Sequence, residues 1–299
     1  MEVLNLSTVV TVMNMKGGVG KTTVAMHLGG VIAHYKIREK QRKVLLIDYD
    51  PQFNMSQAMI SPKKYFQLED ARKTIISVLV GDETVLDPYH LQVPGNEEPP
   101  KVSEIAHPVA RSSDGTILDI VPSTLDLMYL ALGQPEQRTT PIEERFRKFI
   151  DKCRENYDMI IIDCHPAGSL FTKTALTNSD DVLIPVIPQS SYAVRGIGLM
   201  LQFIKAKKSG KNGPNPHILF NLTSRTSIAQ EESNIRANKD FASLCMTNTM
   251  KKYKALSTPM GGHGFVWFKG AGPWSHVAFR NVYAIAEEFI DRVESEVKS

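Results

Sequence analysis

The chain has 299 residues, of which 42% are hydrophobic and 22% are charged, a composition typical of a soluble globular protein. No apolar run approaches the 18 residues of a membrane-spanning helix, and three widely separated cysteines without a C-x-x-C pair argue against a disulfide framework or a zinc site. The first ten residues lack the features of a secretion signal, so we expect a cytoplasmic protein.

Short, continuous β-branched runs predict strands that are buried on both faces, as in a parallel sheet covered by helices. In chain order these runs are residues 8–13, 44–48, 117–122, 159–163, 182–188 and 217–221. Helical patterns lie between and after them, at residues 22–35, 141–156, 170–178, 192–207 and 278–297. This alternation predicts an α/β fold with a doubly wound, mainly parallel sheet, and a ligand at the carboxyl ends of its strands.

The rest of the pattern concerns domain organisation. We expect a single domain over residues 1–299. Residues 87–114 contain five prolines and predict an irregular surface excursion. Residues 251–273 form a variable segment rich in glycine, and Trp267 within it fits either an exposed partner or dimer surface or a loop packed on the core.

A glycine-rich loop, GGVGKT at residues 17–22, separates the first predicted strand from the first predicted helix. Its glycines let backbone N–H groups point at phosphate oxygens, and the start of the helix adds partial positive charge. In such a loop Lys21 reaches the β- and γ-phosphates, and the Thr22 hydroxyl ligates Mg²⁺. The sequence therefore predicts an ATP·Mg²⁺ site in which the nucleotide contacts Gly17, Gly18, Val19, Gly20, Lys21, Thr22 and Thr23.

A second lysine, Lys16, stands just before this loop, and Met15 replaces the first glycine of the usual G-x-x-x-x-G-K-[ST] pattern. Lys16 does not easily fold back onto its own nucleotide, but it can reach a nucleotide in a facing subunit. The stretch KGGVGKTT resembles the deviant phosphate loop of the ParA/MinD class of ATPases. The resemblance implies a homodimer formed with ATP, in which Lys16 contacts the partner's phosphates and, together with Lys21, is catalytic.

Two predicted strand ends extend the resemblance. The stretch VLLIDYDPQFN resembles the switch segment of the class, which implies that Asp48 holds Mg²⁺ or its waters and that Asp50 is catalytic by positioning the attacking water. Phe53 stands where the class usually has glycine. The stretch MIIID resembles the Walker B strand, which makes Asp163 another residue of the metal site.

Two other polar residues leave alternatives open. Asn221 ends a strand that resembles the one whose asparagine hydrogen-bonds adenine in relatives, although a turn asparagine at a strand end is equally compatible. His165 stands where the class often has proline, and a solvated loop histidine is a better interpretation than a metal or acid–base role.

Charge is distributed unevenly along the chain. The net charge is +3, but residues 195–254 carry eleven basic and three acidic residues, which predicts a local basic surface. The stretch SRT at residues 224–226 resembles a turn whose arginine contacts DNA in partition-type relatives. The resemblance implies that the protein binds duplex DNA without sequence preference and associates with the nucleoid. The alternative is that this basic surface is merely solvated. The implied DNA contacts are Arg225, Lys251, Lys252, Lys254 and Arg280.

The predicted C-terminal helix carries an apolar stripe opposite an acidic face, which anionic lipid would repel, so we expect it to pack on the sheet rather than on a membrane. The resemblance also implies a partner, a ParB-like protein or a cargo adaptor, that stimulates slow ATP hydrolysis and releases the DNA. Such a cycle segregates plasmid or chromosomal DNA or spaces cargo. A MinD-like membrane-associated ATPase, or a nucleotide-gated protein-binding switch with little turnover, are the alternatives.

Overall fold

The computed structural model describes residues 7–81, 98–132, 139–165, 170–189, 192–206, 213–257, 259–268 and 274–296. The strands are β1 (Thr8–Val12), β2 (Val44–Tyr49), β3 (His107–Arg111), β4 (Ile117–Val121), β5 (Met159–Cys164), β6 (Asp181–Val186), β7 (Asn215–Thr223) and β8 (Met250–Lys251). The helices are α1 (Lys21–His34), α2 (Asn54–Met59), α3 (Pro62–Asp70), α4 (Ile75–Val80), α5 (Val102–Ile105), α6 (Leu127–Leu132), α7 (Thr140–Arg154), α8 (Leu170–Asn178), α9 (Tyr192–Ala206), α10 (Gln230–Ala237) and α11 (Ser275–Glu296).

Within these ranges the strands form one sheet in the order β3-β4-β2-β5-β1-β6-β7-β8. Each neighbouring pair is parallel except β3 with β4, which confirms the predicted doubly wound, mainly parallel sheet. The chain leaves β1 toward β2 on one side, and β6 flanks β1 on the other side. This change of direction opens a crevice beside the carboxyl end of β1, where ligands bind in such folds.

Both faces of the sheet are covered, which explains the continuous apolar runs of its strands. In β2, Leu45 and Ile47 join a core that includes α4, α7, α8 and α9, while Leu46 points to the opposite core with α1 and α11. Successive side chains of a strand alternate between faces, so a strand between two cores must be apolar at every position.

The C-terminal helix packs as predicted, since the apolar stripe of α11 is buried in the core that contains α1. Charged residues on its outer face pair with the chain that follows α1: Arg38 lies 2.5 Å from Asp291, and Arg42 pairs with Glu294. None of the helices in the described ranges is long and apolar enough to span a bilayer.

The expectation of an irregular excursion at residues 87–114 is wrong for its second half, because helix α5 and strand β3 occur there. Strand β3 is an edge strand, and its register with β4 shifts between Pro108 and Ala110. A proline is compatible with an edge strand, since its missing N–H faces away from the sheet. Residues 87–97 lie outside the described ranges.

The interpretation of Trp267 as an exposed partner or dimer contact is also wrong, because this side chain is only 3% exposed. Its ring stacks on Phe265 with centroids 4.4 Å apart and lies against α1. A Cβ added to Gly30 would come within 2.4 Å of this ring, so the close approach requires glycine. The segment is therefore a loop packed on the core over its described part, 251–257 and 259–268.

Candidate functional site

The glycine-rich loop lies between the end of β1 and the start of α1, as the sequence predicts. Gly18 and Gly20 have φ angles of +74° and +81°, in the left-handed region that favours glycine. A Cβ on Gly20 would also lie 2.4 Å from Nδ2 of Asn221. Backbone conformation and close packing therefore both require glycine at position 20.

Two buried asparagines hold this loop in place. The Asn14 amide donates to the Pro185 carbonyl at 2.8 Å, and its Oδ1 accepts from the Lys16 N–H at 3.0 Å. The Asn221 amide donates to the Val19 carbonyl at 2.7 Å. Asn221 thus supports the loop from beneath, and its contact with adenine stays a prediction. The role of Asn14 was not predicted, because its only signal in the sequence is a polar residue directly after a buried strand.

Two carboxylates lie side by side at the bottom of the crevice. Asp48 and Asp163 are direct partners in the register of β2 and β5, and both are buried. Asp48 accepts hydrogen bonds from Ser56, at 2.8 Å from its N–H and 2.6 Å from its hydroxyl. Burial nonetheless raises the pKa of Asp48 to about 7.

The Asp163 carboxylate has fewer compensating hydrogen bonds than that of Asp48. Neither of its carboxylate oxygens has a hydrogen-bond partner of standard geometry among the described residues. Burial and then the charge of Asp48 raise its pKa well above the ordinary value, while the Thr22 hydroxyl and the Lys21 ammonium lower it by less. Two adjacent, poorly compensated carboxylates are a site that a cation would stabilise.

These residues fit a magnesium ion. Mg²⁺ takes one or two protein carboxylates, and phosphate oxygens and water complete its octahedral shell. Asp163 offers unpartnered oxygens, Asp48 lies beside it, and the Thr22 hydroxyl is near enough to influence the Asp163 pKa. No cluster of three or more His, Cys, Asp or Glu suited to a metal occurs in the described part of the chain, so the remaining ligands would come from nucleotide and water.

The segment after β2 is held by contacts within the protein. Asp50 accepts a hydrogen bond from the Gln52 N–H at 2.9 Å, and its carbonyl accepts one from the Ser123 hydroxyl at 2.7 Å. Phe53 has a φ of +42°, so it keeps the left-handed conformation that glycine adopts more easily. Its ring stacks on Tyr65 with centroids 5.2 Å apart, a contact that offsets part of this strain.

A cavity of about 650 Å³ opens above these groups. The predicted loop residues Lys21 and Thr22 line it together with Asp50, and the half-buried His165 also reaches its wall. The size is in the range of small-molecule and cofactor sites. Part of the wall was not predicted: it comes from Met26 on α1 and from Leu256, Ser257 and Pro259, which are distant in the chain.

The segment that contains Leu256, Ser257 and Pro259 is hydrogen-bonded to α1 and α2. The buried His27 donates from Nε2 to the Leu256 carbonyl at 3.1 Å. Farther along the segment, the Gly261 and Gly262 N–H groups donate to α2 carbonyls, the latter to Ala58 at 2.7 Å. Residues 255–257 and 259–262 thus contact both the helix of the phosphate loop and the helix that follows Asp50.

Lys16 differs from Lys21 in its surroundings. Lys21 is buried in the cavity, whereas Lys16 is exposed, does not line the cavity and has no ion pair within the described ranges. Its backbone is fixed by Asn14, so the side chain extends from a rigid point.

The predicted DNA contacts lie at the β7–β8 end of the sheet. Arg225 is exposed, with its guanidinium 5.8 Å from the centroid of the Tyr253 ring. Asn281 on α11 accepts a hydrogen bond from the Lys251 N–H at 2.8 Å, which brings the neighbouring Arg280 close to β8. Lys252, Lys254 and Arg280 are exposed, and Lys251 is partly so.

Other parts of the basic stretch do not join this surface. Arg236 stacks on the Phe220 ring at 4.7 Å and pairs with Glu232 at 3.0 Å, so its charge is used within the protein. Lys207, Lys208 and Lys211 lie outside the described residues.

Comparisons with known proteins identify relatives of this chain. Residues 7–215 match the family described as an AAA domain. The chain is 30% identical to the sporulation initiation inhibitor protein Soj of Bacillus subtilis over 197 residues. The matched region covers 66% of this chain and 64% of that protein. It is 29% identical over 222 residues to the chromosome-partitioning ATPase Soj of Treponema pallidum, which covers 73% of each chain.

A solved structure shows the same fold. A plasmid partition protein from Borrelia burgdorferi B31, bound to AMPPNP, superimposes with a TM-score of 0.67 at 20% identity, covering 96% of this chain and 99% of that one. The match to the AAA domain spans well over half of the chain, and it includes β1, the phosphate loop, β2 and β5. The chain therefore belongs to the AAA domain family, and within it to the ParA/Soj type of P-loop partition ATPases.

Proposed function

We propose that this protein is an ATP-dependent partition or positioning ATPase that works as a single domain over residues 1–299. One observation carries the proposal: the unpartnered Asp163 carboxylate lies in register with Asp48, beside Lys21 and Thr22 of the phosphate loop. This arrangement places negative charge beside the phosphate loop. A cation bound to a nucleoside triphosphate in that loop would compensate this charge.

The nucleotide site assigns roles to predicted residues. The N–H groups of residues 17–23 surround the phosphates, and the Lys21 ammonium contacts the β- and γ-phosphates. Thr22, Asp48 and Asp163 hold Mg²⁺, which when bound neutralises charge on the phosphates. Asp50 orients the attacking water, and the hydrogen bond from Ser123 to its carbonyl keeps the backbone in place.

Lys16 provides the contact between subunits. Its side chain is exposed and does not line the cavity of its own chain, and its backbone N–H is anchored by Asn14. In a homodimer formed with ATP, Lys16 would stabilise negative charge on the partner's phosphates, as an arginine finger supplied in trans does. Hydrolysis would then depend on dimerisation.

The ATP-bound dimer binds duplex DNA without sequence preference, on the nucleoid in the cytoplasm, through the backbone phosphates. Exposure of Arg225, Lys252, Lys254 and Arg280 at one end of the sheet supports this, and a dimer would present two such surfaces. The name of the Treponema relative, a chromosome-partitioning ATPase, supports the same function. A ParB-like protein or cargo adaptor would stimulate hydrolysis and release the DNA. Membrane positioning is disfavoured, because the apolar face of α11 is buried.

The test is retention of the purified protein on random-sequence duplex DNA without nucleotide, with ADP and with ATP·Mg²⁺, at two salt concentrations. We expect retention only with ATP and weaker retention at higher salt, because phosphate contacts release counterions. The Lys21→Ala variant, which lacks the phosphate contact, is the negative control. Absence of retention in every nucleotide state would refute DNA partition as the function.

A further inference from the structure

Two aromatic side chains at the start of α11 are exposed although nothing in the proposed cycle uses them. Of the two tryptophans of the chain, Trp267 is buried and Trp274 is 73% exposed. The Trp274 ring is stacked on that of His276, with centroids 6.3 Å apart and planes inclined by 28°. A large aromatic surface of this kind is costly to leave in water, which suggests a ligand.

The backbone at Trp274 is also unusual. Its φ is +61°, in the left-handed region that a bulky side chain rarely adopts. Strain of this kind is costly and is concentrated at functional sites. Trp274 is therefore held outward at a cost to folding.

The aromatic pair adjoins the basic surface, which consists of Arg225, Lys251, Lys252, Lys254 and Arg280. His276 and Arg280 are four residues apart on α11, so they share one face of the helix about 6 Å apart along its axis. The next residue, Asn281, binds the Lys251 N–H. The first turn of α11 contains no acidic residue. An aromatic platform beside cations, without nearby carboxylates in that turn, is complementary to a nucleotide, which combines a flat base with an anionic phosphate.

We propose that Trp274 and His276 form a stacking platform for an unpaired DNA base, whose adjoining phosphate contacts Arg280. The proposal rests on the proposed DNA-binding function and adds a ligand class to it: single-stranded DNA, or an unpaired end or gap in a duplex. The paired bases of an intact duplex are stacked on one another and do not offer a free face to the platform. Base–aromatic stacking tolerates any sequence, which agrees with non-specific binding.

The experiment uses the full-length protein with ATP·Mg²⁺ and three labelled probes: a thymidine oligonucleotide of about 12 nucleotides, an abasic oligonucleotide of the same length, and a duplex. The abasic strand keeps the phosphates but has no bases. We expect Trp274→Ala to weaken binding of the thymidine strand by about 5- to 150-fold and to leave the abasic strand unaffected. The control is Phe66→Ala, which removes another exposed aromatic ring, on α3, where the neighbouring Tyr65 bonds the Ser123 carbonyl just after β4, and should change neither affinity.

Tryptophan fluorescence of the unmodified protein gives a second readout that needs no variant. The thymidine strand should quench the emission of the exposed Trp274 while the buried Trp267 remains as a constant background, and the abasic strand should not quench it. Two outcomes would overturn the stacking platform but not the DNA-binding function, provided that the duplex is retained with ATP. One is an unchanged affinity of Trp274→Ala for the thymidine strand. The other is an equal weakening of its binding to the thymidine and the abasic strands. If the unmodified protein binds none of the three probes, the proposed DNA-binding function itself fails.

Discussion

Replacing Gly30 with alanine would add a methyl group to α1 where the Trp267 ring already lies. The added Cβ would be 2.4 Å from the ring, far inside van der Waals contact. The ring cannot retreat easily, because it is buried and stacks on Phe265 at 4.4 Å, with the His27 ring 5.5 Å away. Overpacking of this kind costs about 1–3 kcal/mol, while alanine in place of a helical glycine gains about 1 kcal/mol.

Gly198 provides the matched control, since it also lies within a helix, α9, and an added Cβ there meets nothing within 4 Å. Because the gain in helix propensity is common to both variants, the difference between their free energies of unfolding isolates the steric cost. We expect Gly30→Ala to be less stable than Gly198→Ala by about 1–3 kcal/mol. Urea unfolding of both variants, with equal m-values, measures this difference.

A second background makes the test specific. In a Trp267→Leu protein the smaller side chain leaves room for the methyl group, so most of the penalty of Gly30→Ala should disappear. Equal stability of Gly30→Ala and Gly198→Ala, or a penalty that persists without the tryptophan, would refute the packing of residues 259–268 on α1.

Four further outcomes follow from the site. Lys16→Ala should bind ATP as the unmodified protein does but form no ATP-dependent dimer in sedimentation assays. It should also release phosphate at least about tenfold more slowly, because the charge supplied in trans is lost; normal hydrolysis would contradict the proposed role of this lysine. Asp50→Ala should leave ATP-bound dimers on DNA, seen as slower release after dilution than for the unmodified protein. Arg225→Glu should lower affinity for duplex DNA and flatten its salt dependence while ATP affinity stays constant; a parallel loss of ATP binding would point to misfolding instead. Without Mg²⁺ and nucleotide, the contribution of Asp48 to stability should fall as pH rises from about 4 to about 7, because folded Asp48, with a pKa of about 7, binds a proton that the unfolded chain, with a pKa near 3.8, has already released. The measurement is the free energy of unfolding of the unmodified protein minus that of Asp48→Asn across this window, and a difference that grows with pH would refute the burial of this carboxyl group.

Local patterns in the sequence predicted much of the fold. Helix α8 has the predicted bounds, and strands β2 and β5 differ from prediction by one residue, because short buried runs between polar loops mark parallel strands clearly. The phosphate loop was predictable for the same reason, since the glycines and Lys21 are consecutive in the chain. Strand β3 was missed because Pro108 suggested irregular structure, although an edge strand tolerates it.

Long-range relations were not predictable. The sequence places Asp48 and Asp163 each at the end of a strand. The local sequence does not specify that β2 and β5 are neighbours, or that the two carboxylates lie at the same crevice. Ser56 and Ser123, which hold Asp48 and the Asp50 backbone, are ordinary serines in the sequence. Their roles depend on the sheet order, which brings segments separated by 67 residues together.

The stretch from Lys251 to Ser257 belongs to two surfaces at once. Its lysines lie on the basic surface, while Leu256 and Ser257, only a few residues later, form part of the wall of the proposed nucleotide cavity. A displacement of this wall by a bound nucleotide would therefore be transmitted along the same short piece of chain to the lysines. Binding equilibria linked in this way are reciprocal: whatever factor ATP adds to the affinity for DNA, DNA must add to the affinity for ATP. If the protein binds DNA as proposed, DNA would act as an effector that retains ATP on the protein, and loss of DNA would favour release of the nucleotide.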